Sequence, residues 1–159
     1  MNPPTTTEPI DYRIYIAATR ERIWSALTEG DMTRDYFFAR RVESDWRAGS
    51  RVLYRMPDGS VDVSGRILEI DPPRLLRFTW RVERPGMVLP EAIVRFEIRS
   101  FGGMCRLDLL EEHPESIPLA HLEGGRRGWP IILSCLKTLM ETGRAAEIDM
   151  IAVMHEGED

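Results

Sequence analysis

Cysteine is scarce in this chain, which has only Cys105 and Cys135 among its 159 residues. Two thiols do not make the disulfide framework that small secreted domains use in place of a large core. A chain of this length can bury a sufficient core without disulfides or metals, as one domain of ordinary size. We therefore expect two buried thiols, a reducing environment and a cytoplasmic location.

Long apolar runs and an excess of positive charge are also missing. No hydrophobic stretch approaches the roughly 18 residues of a membrane-spanning helix, and the first nine residues contain no basic segment followed by an apolar one. The formal net charge is −5, with acidic and basic residues interspersed. Because nucleic-acid binding requires a basic stripe and usually a high pI, we expect no nucleic-acid partner, no membrane span and no secretory leader.

Motifs that would carry a metal, a cofactor or a nucleophile are absent from the sequence. The three histidines, His113, His121 and His155, do not occur at zinc-ligand spacing, and there is no C-x-x-C pair or G-x-S-x-G motif. The Glu-Glu-His run at residues 111–113 is interpreted as a solvated strand end, because acid–base chemistry needs perturbed, partly buried groups. We predict no metal, no cofactor and no catalytic residue.

Most of the chain shows the alternation of apolar and polar residues that is typical of strands with one buried face. After a first strand at residues 12–17, a helix is predicted at Arg20–Thr28 with Thr19 as its N-cap, and Gly30 is expected to end it. A second short helix is predicted at residues 32–37. Six further strands follow at residues 41–44, 51–56, 61–70, 75–83, 92–99 and 104–111. The sequence thus predicts an α+β fold with an antiparallel sheet of about seven strands.

The last patterned segment has the spacing of a long helix. Apolar residues at positions 129, 132, 133, 136, 139 and 140 share one helical face, which would cover the inner face of the sheet. The start is ambiguous, because Gly128 and Pro130 flank Trp129: the helix begins near Trp129, or a shorter turn before it kinks there. The domain is expected to cover residues 10–143, between a flexible tail at 1–9 and a helix extension or tail at 144–159.

The inward-facing residues of the strands and of the last helix define where a ligand would bind. The predicted cavity between helix and sheet is lined by Tyr54, Met56, Val63, Phe78, Trp80, Val94, Phe96, Cys105, Leu107, Trp129, Leu133, Leu136 and Met140. A packed core accounts for most of these residues equally well, because protein interiors are filled to near-crystal density. The ligand interpretation depends on Tyr54, Trp80 and Trp129, whose polar atoms need a partner when buried.

The mouth of this cavity is predicted beside the aromatic segment that follows the second short helix. The residues predicted to form the cavity mouth are Phe37, Phe38, Trp46 and Arg126. Alternatively, these rings close the core, or they are exposed and form a surface for a partner or a second copy. The pairs Arg40-Arg41 and Arg126-Arg127 are interpreted as solvated charges. If an anionic ligand enters near the start of the last helix, Arg126 and Arg127 are the residues to test.

Three segments resemble a known superfamily. Residues 14–28, Ile-Tyr-Ile-Ala-Ala-Thr-Arg-Glu-Arg-Ile-Trp-Ser-Ala-Leu-Thr, resemble the first strand and helix of START-like (SRPBCC) proteins. Residues 58–80 resemble the middle block of the branch related to the C-terminal domain of the heat-shock protein 90 ATPase activator. Residues 128–143, with Gly128-Trp129, Lys137 and Glu141, resemble the closing helix of that branch. The resemblance implies the helix-grip fold, in which a curved sheet surrounds a long C-terminal helix above a cavity.

Members of this superfamily have diverse functions, so the resemblance leaves three hypotheses open. The superfamily includes lipid carriers, polyketide cyclases and co-chaperone domains. The first hypothesis is a non-enzymatic module that binds a small hydrophobic or aromatic molecule in the cavity. The second is a cyclase- or hydrolase-like enzyme, which requires an ionisable group there; the inward parity supplies Tyr54 and Cys105 but no carboxylate or histidine. The third is a domain that interacts with a chaperone or regulator. A monomer and a homodimer are equally consistent with the sequence.

Overall fold

The chain folds into one curved antiparallel sheet with a long helix on its inner face, as seen in a computed structural model that describes residues 3–155 except the side chain of Met154. Residues 1–2 and 156–159 of the two predicted tails lie outside the described residues. The elements in chain order are β1 (Thr5–Thr6), β2 (Ile10–Ile16), α1 (Arg20–Thr28), α2 (Gly30–Tyr36), β3 (Arg41–Ser44), β4 (Arg51–Arg55), β5 (Val61–Asp71), β6 (Leu75–Val82), β7 (Ala92–Phe101), β8 (Met104–Glu112), β9 (Ile117–Pro118), α3 (Leu119–Thr142) and α4 (Met150–Met154). The predicted α+β helix-grip fold with seven main strands is confirmed.

The seven-stranded sheet has the spatial order β2-β8-β7-β6-β5-β4-β3, and the short strands β1 and β9 pair separately. Strands β7 and β8 pair in unbroken register, so that Phe96 faces Leu109 and Ile98 faces Leu107. Alternate residues of both strands are buried, because side chains point to opposite faces of a sheet at a period of two. Strand β5 is less regular, with register shifts against both of its neighbours.

Helix α3 covers the inner face of the sheet and contributes to a single hydrophobic core. Its C-terminal half also makes polar contacts with the end of β2. The Glu141 carboxylate accepts a hydrogen bond of 2.8 Å from the backbone N–H of Ala17, and Lys137 Nζ donates to the Tyr15 carbonyl at 2.8 Å. Gly143 ends the helix in the left-handed conformation, with φ of 74°, so the helix does not extend into the residues that follow.

Neither of the two predicted starts of this helix is correct. Helix α3 begins at Leu119, ten residues before Trp129, and continues through Pro130. A proline inside a helix removes one hydrogen bond, here to the carbonyl of Arg126. Buried residues on both sides of the proline, such as Leu122 and Leu133, pack in the core and hold the helix together despite that loss.

The segments on either side of the predicted domain are also packed. Residues 3–9 do not have the loosely draped form expected from their composition, because β1 pairs with β9 and the Pro4 carbonyl accepts a hydrogen bond of 2.9 Å from Leu119 N–H. After α3, the side chains of Ala146 and Ile148 pack against the core, and α4 is a separate element capped by Asp149. The division of the chain at residues 10 and 143 stays a prediction.

The first two helices show one correction to the sequence-based prediction. Helix α1 has the predicted bounds, and the Thr19 hydroxyl accepts the capping hydrogen bond from Arg22 N–H at 3.2 Å. Gly30, however, begins α2 instead of ending α1, whose C-cap is Glu29. A Cβ atom at Gly30 would be 2.8 Å from the Val42 carbonyl oxygen, so the absence of a side chain lets α2 approach β3.

Both cysteines are buried and unpaired, in agreement with the expectation of two free thiols. They lie on different elements, Cys105 on β8 and Cys135 on α3. Within residues 3–155, no helix combines the length and the apolar character needed to cross a bilayer.

The irregular strand β5 generates a stability prediction at Gly65. A Cβ atom at this position would overlap the carbonyl oxygen of Thr79, a backbone atom that cannot move without disturbing the sheet. We expect Gly65→Ala to lower the free energy of unfolding by about 3 kcal/mol, measured by chemical denaturation. The matched control is Gly103→Ala, where a Cβ meets nothing within 4 Å, and we expect it to change stability by less than about 0.5 kcal/mol. Equal effects of the two variants would contradict this reading of β5.

Candidate functional site

A pocket of about 310 Å³ lies beneath the first half of α3, between that helix, the sheet and the segment that follows α2. Its apolar lining comes from Phe37, Phe38, Trp80, Val82, Trp129 and Ile132. Its polar lining comes from Arg40, Asp62, Arg84, Glu111 and His121, and the helix contributes Ala120, Gly124, Gly125 and Gly128. The pocket therefore combines ring-lined walls with several charged groups.

The space for the pocket comes from small residues on α3. Ala120, Gly124, Gly128 and Ile132 follow one another at four-residue spacing, so they lie along one line of the helix. A Cβ atom on Gly124 or Gly128 would meet nothing within 4 Å, whereas one on Gly125 would be 2.6 Å from Ile10 Cδ1. Gly125 thus permits packing against β2, while the other two glycines leave open space. Each glycine in a helix interior costs about 1 kcal/mol relative to alanine.

The aromatic wall is centred on Trp129, which lies near the middle of α3 and is buried. Its ring centroid is 5.4 Å from that of Trp80 and 5.8 Å from that of Phe37. Phe96 from β7 makes an edge contact on the same indole at 6.1 Å. Rings at these distances pack at favourable angles and form a rigid apolar surface.

A buried carboxylate lies at the end of β8, where the sequence predicted solvated charges. Glu111 Oε1 accepts a hydrogen bond of 3.0 Å from Trp129 Nε1, and Glu111 Oε2 is 2.7 Å from His113 Nε2. The other ring nitrogen, His113 Nδ1, is 2.7 Å from the Glu8 carbonyl oxygen. Because both neighbours of the imidazole are acceptors, it satisfies both only when each nitrogen carries a proton.

The protonation of His113 follows from these contacts. The hydrogen bond to Glu111 raises the pKa of His113 above its ordinary value, with a smaller contribution from the Glu8 carbonyl, although burial acts in the opposite direction. The interpretation of residues 111–113 as a solvated strand end was therefore wrong. Inward parity on β8 continues from Leu109 to Glu111 and then to His113.

A second buried carboxylate, Asp62, holds two arginines at the pocket. Arg40 Nε is 2.6 Å from Asp62 Oδ2, and Arg84 Nε is 2.9 Å from Asp62 Oδ1. Burial acts to raise the pKa of Asp62, but hydrogen bonds from Arg84 and Arg40 outweigh it, so the pKa lies below its ordinary value. The carboxylate is thus ionised at neutral pH and fixes both guanidinium groups.

The position of Asp62 depends on a β-bulge. In the pairing of β4 with β5, Tyr54 faces Val63 and Arg55 faces Val61, so Asp62 is an extra residue without a partner. Such a residue bends its strand and can redirect a side chain. Simple alternation assigns Asp62 to the solvent face, opposite to Val63, yet it is 5% exposed.

Arg40 is directed towards Asp62 by an unusual stretch of backbone after α2. The φ angles of Phe38 and Ala39 are 48° and 65°, in the left-handed region that non-glycine residues seldom adopt. Arg40 Nη1 donates to the Phe38 carbonyl at 3.1 Å, and the guanidinium lies 5.9 Å from the Phe37 ring centroid. The interpretation of Arg40 as a solvated charge was therefore wrong.

Only part of the predicted cavity lining reaches this pocket. Trp80 and Trp129 line it, as do Phe37 and Phe38 from the predicted mouth. Ten further predicted residues are buried in the packed core and do not line the pocket: Tyr54, Val63, Phe78, Val94, Phe96, Cys105, Leu107, Leu133, Leu136 and Met140. For these positions the packed-core alternative describes the structure.

Three predicted residues lie away from the pocket. Met56 is half-buried at the end of β4 and lines a separate depression beside Phe38 and Ile148. Trp46 packs partly buried against the core without lining the pocket. Arg126 is exposed and donates to the Pro9 carbonyl at 3.3 Å, so it does not stand at this opening.

Sequence reasoning missed Arg40, Asp62, Arg84, Glu111 and His121 as pocket residues. Glu111 was detectable, because it continues the inward parity of its strand. His121 was hidden because the helix was expected to begin near Trp129, two turns later. The His121 ring has no hydrogen-bond partner among the described residues, and burial lowers the pKa of His121, so the ring is neutral at neutral pH.

Within the described part of the chain, no group of three or more His, Cys, Asp or Glu residues has a geometry that would hold a metal ion.

Comparisons with known proteins agree with this architecture. A family model described as Activator of Hsp90 ATPase homolog 1-like protein matches residues 17–141. A comparison with curated proteins found no match.

Solved structures with the same fold share little sequence with this chain. Protein MLL2253 from Mesorhizobium loti has a TM-score of 0.72 and 19% identity, over 84% of this chain and 97% of that one. The Aha1 dimer from Colwellia psychrerythraea has a TM-score of 0.70 and 18% identity, over 87% and 99%. CalU16 from Micromonospora echinospora has a TM-score of 0.71 and 22% identity, over 94% and 82%. Identities this low establish a common fold alone.

The contact between Glu111 and His113 predicts a pH-dependent stability. Since the folded protein raises the pKa of His113, the stabilisation is complete below the unfolded value near 6.5 and is lost as pH rises through the folded pKa. We expect Glu111→Gln to remove this effect. The difference in unfolding free energy between the wild type and Glu111→Gln should therefore shrink from about pH 6 to about pH 9, as measured by chemical denaturation.

The control for this experiment is Glu112→Gln, which neutralises the neighbouring residue on the opposite face of β8. We expect the difference between this variant and the wild type to remain nearly constant over the same pH range. A constant difference for Glu111→Gln as well would show that His113 does not titrate against Glu111.

Proposed function

This chain belongs to the Activator of Hsp90 ATPase homolog 1-like family, and we propose that it acts as a binding module for a small hydrophobic or aromatic molecule held beneath α3. The observation that carries the proposal is the open line of Ala120, Gly124 and Gly128 facing a wall of aromatic rings. Gly124 and Gly128 make room for no packing contact and weaken the helix, so the space they leave accounts for their presence better than stability does.

The size and lining of the pocket also support a small-molecule ligand. A volume of about 310 Å³ lies at the lower end of the roughly 300–1,000 Å³ that ligand pockets occupy. Trp80, Trp129 and Phe37 present faces and edges on which a planar apolar group can pack. Ligand sites usually combine such a surface with a few polar groups that fix orientation, and the arginines and His121 are available for that purpose here.

The proposal predicts that filling the space beside Gly128 removes binding without unfolding the protein. We expect Gly128→Leu to weaken binding of 2-naphthamide, a neutral two-ring probe, by at least about tenfold, because the leucine side chain occupies the pocket. The measurement is isothermal titration calorimetry, with circular dichroism as the check on folding. Gly128→Ala adds only one methyl group and should raise helix stability by about 1 kcal/mol while reducing affinity less.

The matched control is Glu123→Leu, which introduces the same side chain on the exposed side of α3. We expect this variant to bind 2-naphthamide with the affinity of the wild type. If the wild type binds no probe, or if Gly128→Leu binds as well as the wild type, the pocket is not the binding site.

A hydrolase-like enzyme in the same pocket is the second candidate, because Glu111 and His121 line it. The sequence suggested that no carboxylate or histidine faces inward, and these two residues remove that objection. Both carboxylate oxygens of Glu111 are already engaged, one by Trp129 and the other by His113. Glu111 is therefore a poor candidate for a general base. The neutral ring of His121 is the better candidate for a base.

The two candidates differ in a simple assay with 1-naphthyl acetate and water as the reactants. A binding module should release no naphthol above the protein-free rate, whereas an enzyme should release it and lose that activity in His121→Gln. An Hsp90-activating role is supported by the family description alone, since no feature of the pocket indicates a protein partner.

A further inference from the structure

We propose that the ligand of this pocket is an aromatic molecule that carries a carboxylate, bound by the guanidinium groups of Arg40 and Arg84. This inference rests on the proposed binding function and adds the chemical class of the ligand. Two guanidinium groups against the single carboxylate of Asp62 leave one positive charge uncompensated at the pocket wall. An aromatic wall beside an excess positive charge matches a planar ring system with one anionic substituent.

The two arginines retain unused hydrogen-bond donors. Arg40 uses Nε for Asp62 and Nη1 for the Phe38 carbonyl, and Arg84 uses Nε and Nη2 for Asp62. Among the described residues, Nη2 of Arg40 and Nη1 of Arg84 have no acceptor, and no side-chain nitrogen or oxygen that is buried from solvent lacks a partner. The free donor of Arg40 is therefore accessible, and that of Arg84 belongs to an exposed side chain. Guanidinium groups bind carboxylates through strong, charge-assisted hydrogen bonds.

The arginines are held in place before any ligand binds. Asp62 is 5% exposed and accepts from both of them; the side chain of Arg40 is 13% exposed, whereas that of Arg84 is 47% exposed and is positioned by its two contacts with Asp62. A guanidinium group that is already positioned loses little side-chain freedom when it binds an anion. For Arg40, removal of most of the side chain from water also strengthens its attraction for a negative charge relative to an exposed arginine.

The other charged groups at the pocket do not offset this preference. The Glu111 carboxylate is engaged by Trp129 Nε1 and by His113, so its charge is already met by donors. His121 is neutral at neutral pH because burial lowers its pKa. A cationic ligand would find both acidic side chains occupied and two arginines beside it.

The test compares 2-naphthoate with 2-naphthamide, which have the same rings and differ in charge. By isothermal titration calorimetry at neutral pH, we expect the wild type to bind the carboxylate about tenfold more tightly, as a charge-assisted hydrogen bond would provide. In Arg84→Gln the two affinities should become nearly equal, because one of the two guanidinium groups is lost and the net charge at the wall falls to zero. Raising the ionic strength should weaken binding of the carboxylate and leave that of the amide unchanged.

Two further variants keep the result interpretable. Arg81→Gln removes the same charge from the exposed face of β6 and should preserve the tenfold preference. Arg84→Lys keeps the charge and should retain part of the preference, which also covers the case in which Arg84→Gln fails to fold.

The outcomes separate this proposal from the one before it. Equal binding of both probes by the wild type, or a preference that survives in Arg84→Gln, overturns the carboxylate assignment and leaves the binding function intact. Absence of binding by either probe overturns both. A preference lost equally in Arg81→Gln would mean that general electrostatic attraction, and not the pocket arginines, selects the anion.

Discussion

The buried carboxylate of Glu111 connects three parts of the molecule, and the arrangement of the pocket depends on it. It accepts from the indole of Trp129 on α3 and from His113 beyond the end of β8, and His113 in turn contacts the carbonyl of Glu8 in the N-terminal segment. Removing an ionised carboxylate from water costs several kcal/mol unless donors replace the lost hydration. These donors must therefore stay in place, which holds the first half of α3 at the end of the sheet where the pocket opens.

The pocket exists because regular structure is modified at three places around this link. Helix α3 carries glycine at positions 124 and 128, where side chains would fill the space. Strand β5 contains the bulge that turns Asp62 inward, and the segment after α2 uses left-handed backbone at Phe38 and Ala39. Each modification costs stability that a uniformly packed fold would keep. Local departures of this kind concentrate at functional sites in proteins whose other elements agree with simple rules.

The alternation of residues along β6, β7 and β8 was enough to predict these strands and their buried faces, because side-chain parity is a local property of an extended chain. The start of α3 was mispredicted, because the glycines and Pro130 oppose a helix locally and only packing on the sheet overcomes them. Asp62 was missed for a related reason. A bulge shifts parity by one residue, and it is defined by the pairing of two strands and not by either strand alone.

By itself, the sequence determined the α+β class, the order of the main helices and strands, and the inward face of most strands. These features follow from periodicity and from local backbone preferences, which act over a few residues. Tertiary structure alone decided which inward positions pack solidly and which border a space. It also decided that Arg40, Asp62 and Arg84, from three separate segments, meet at one wall. Such properties depend on distances between elements far apart in the chain, and no local pattern encodes them.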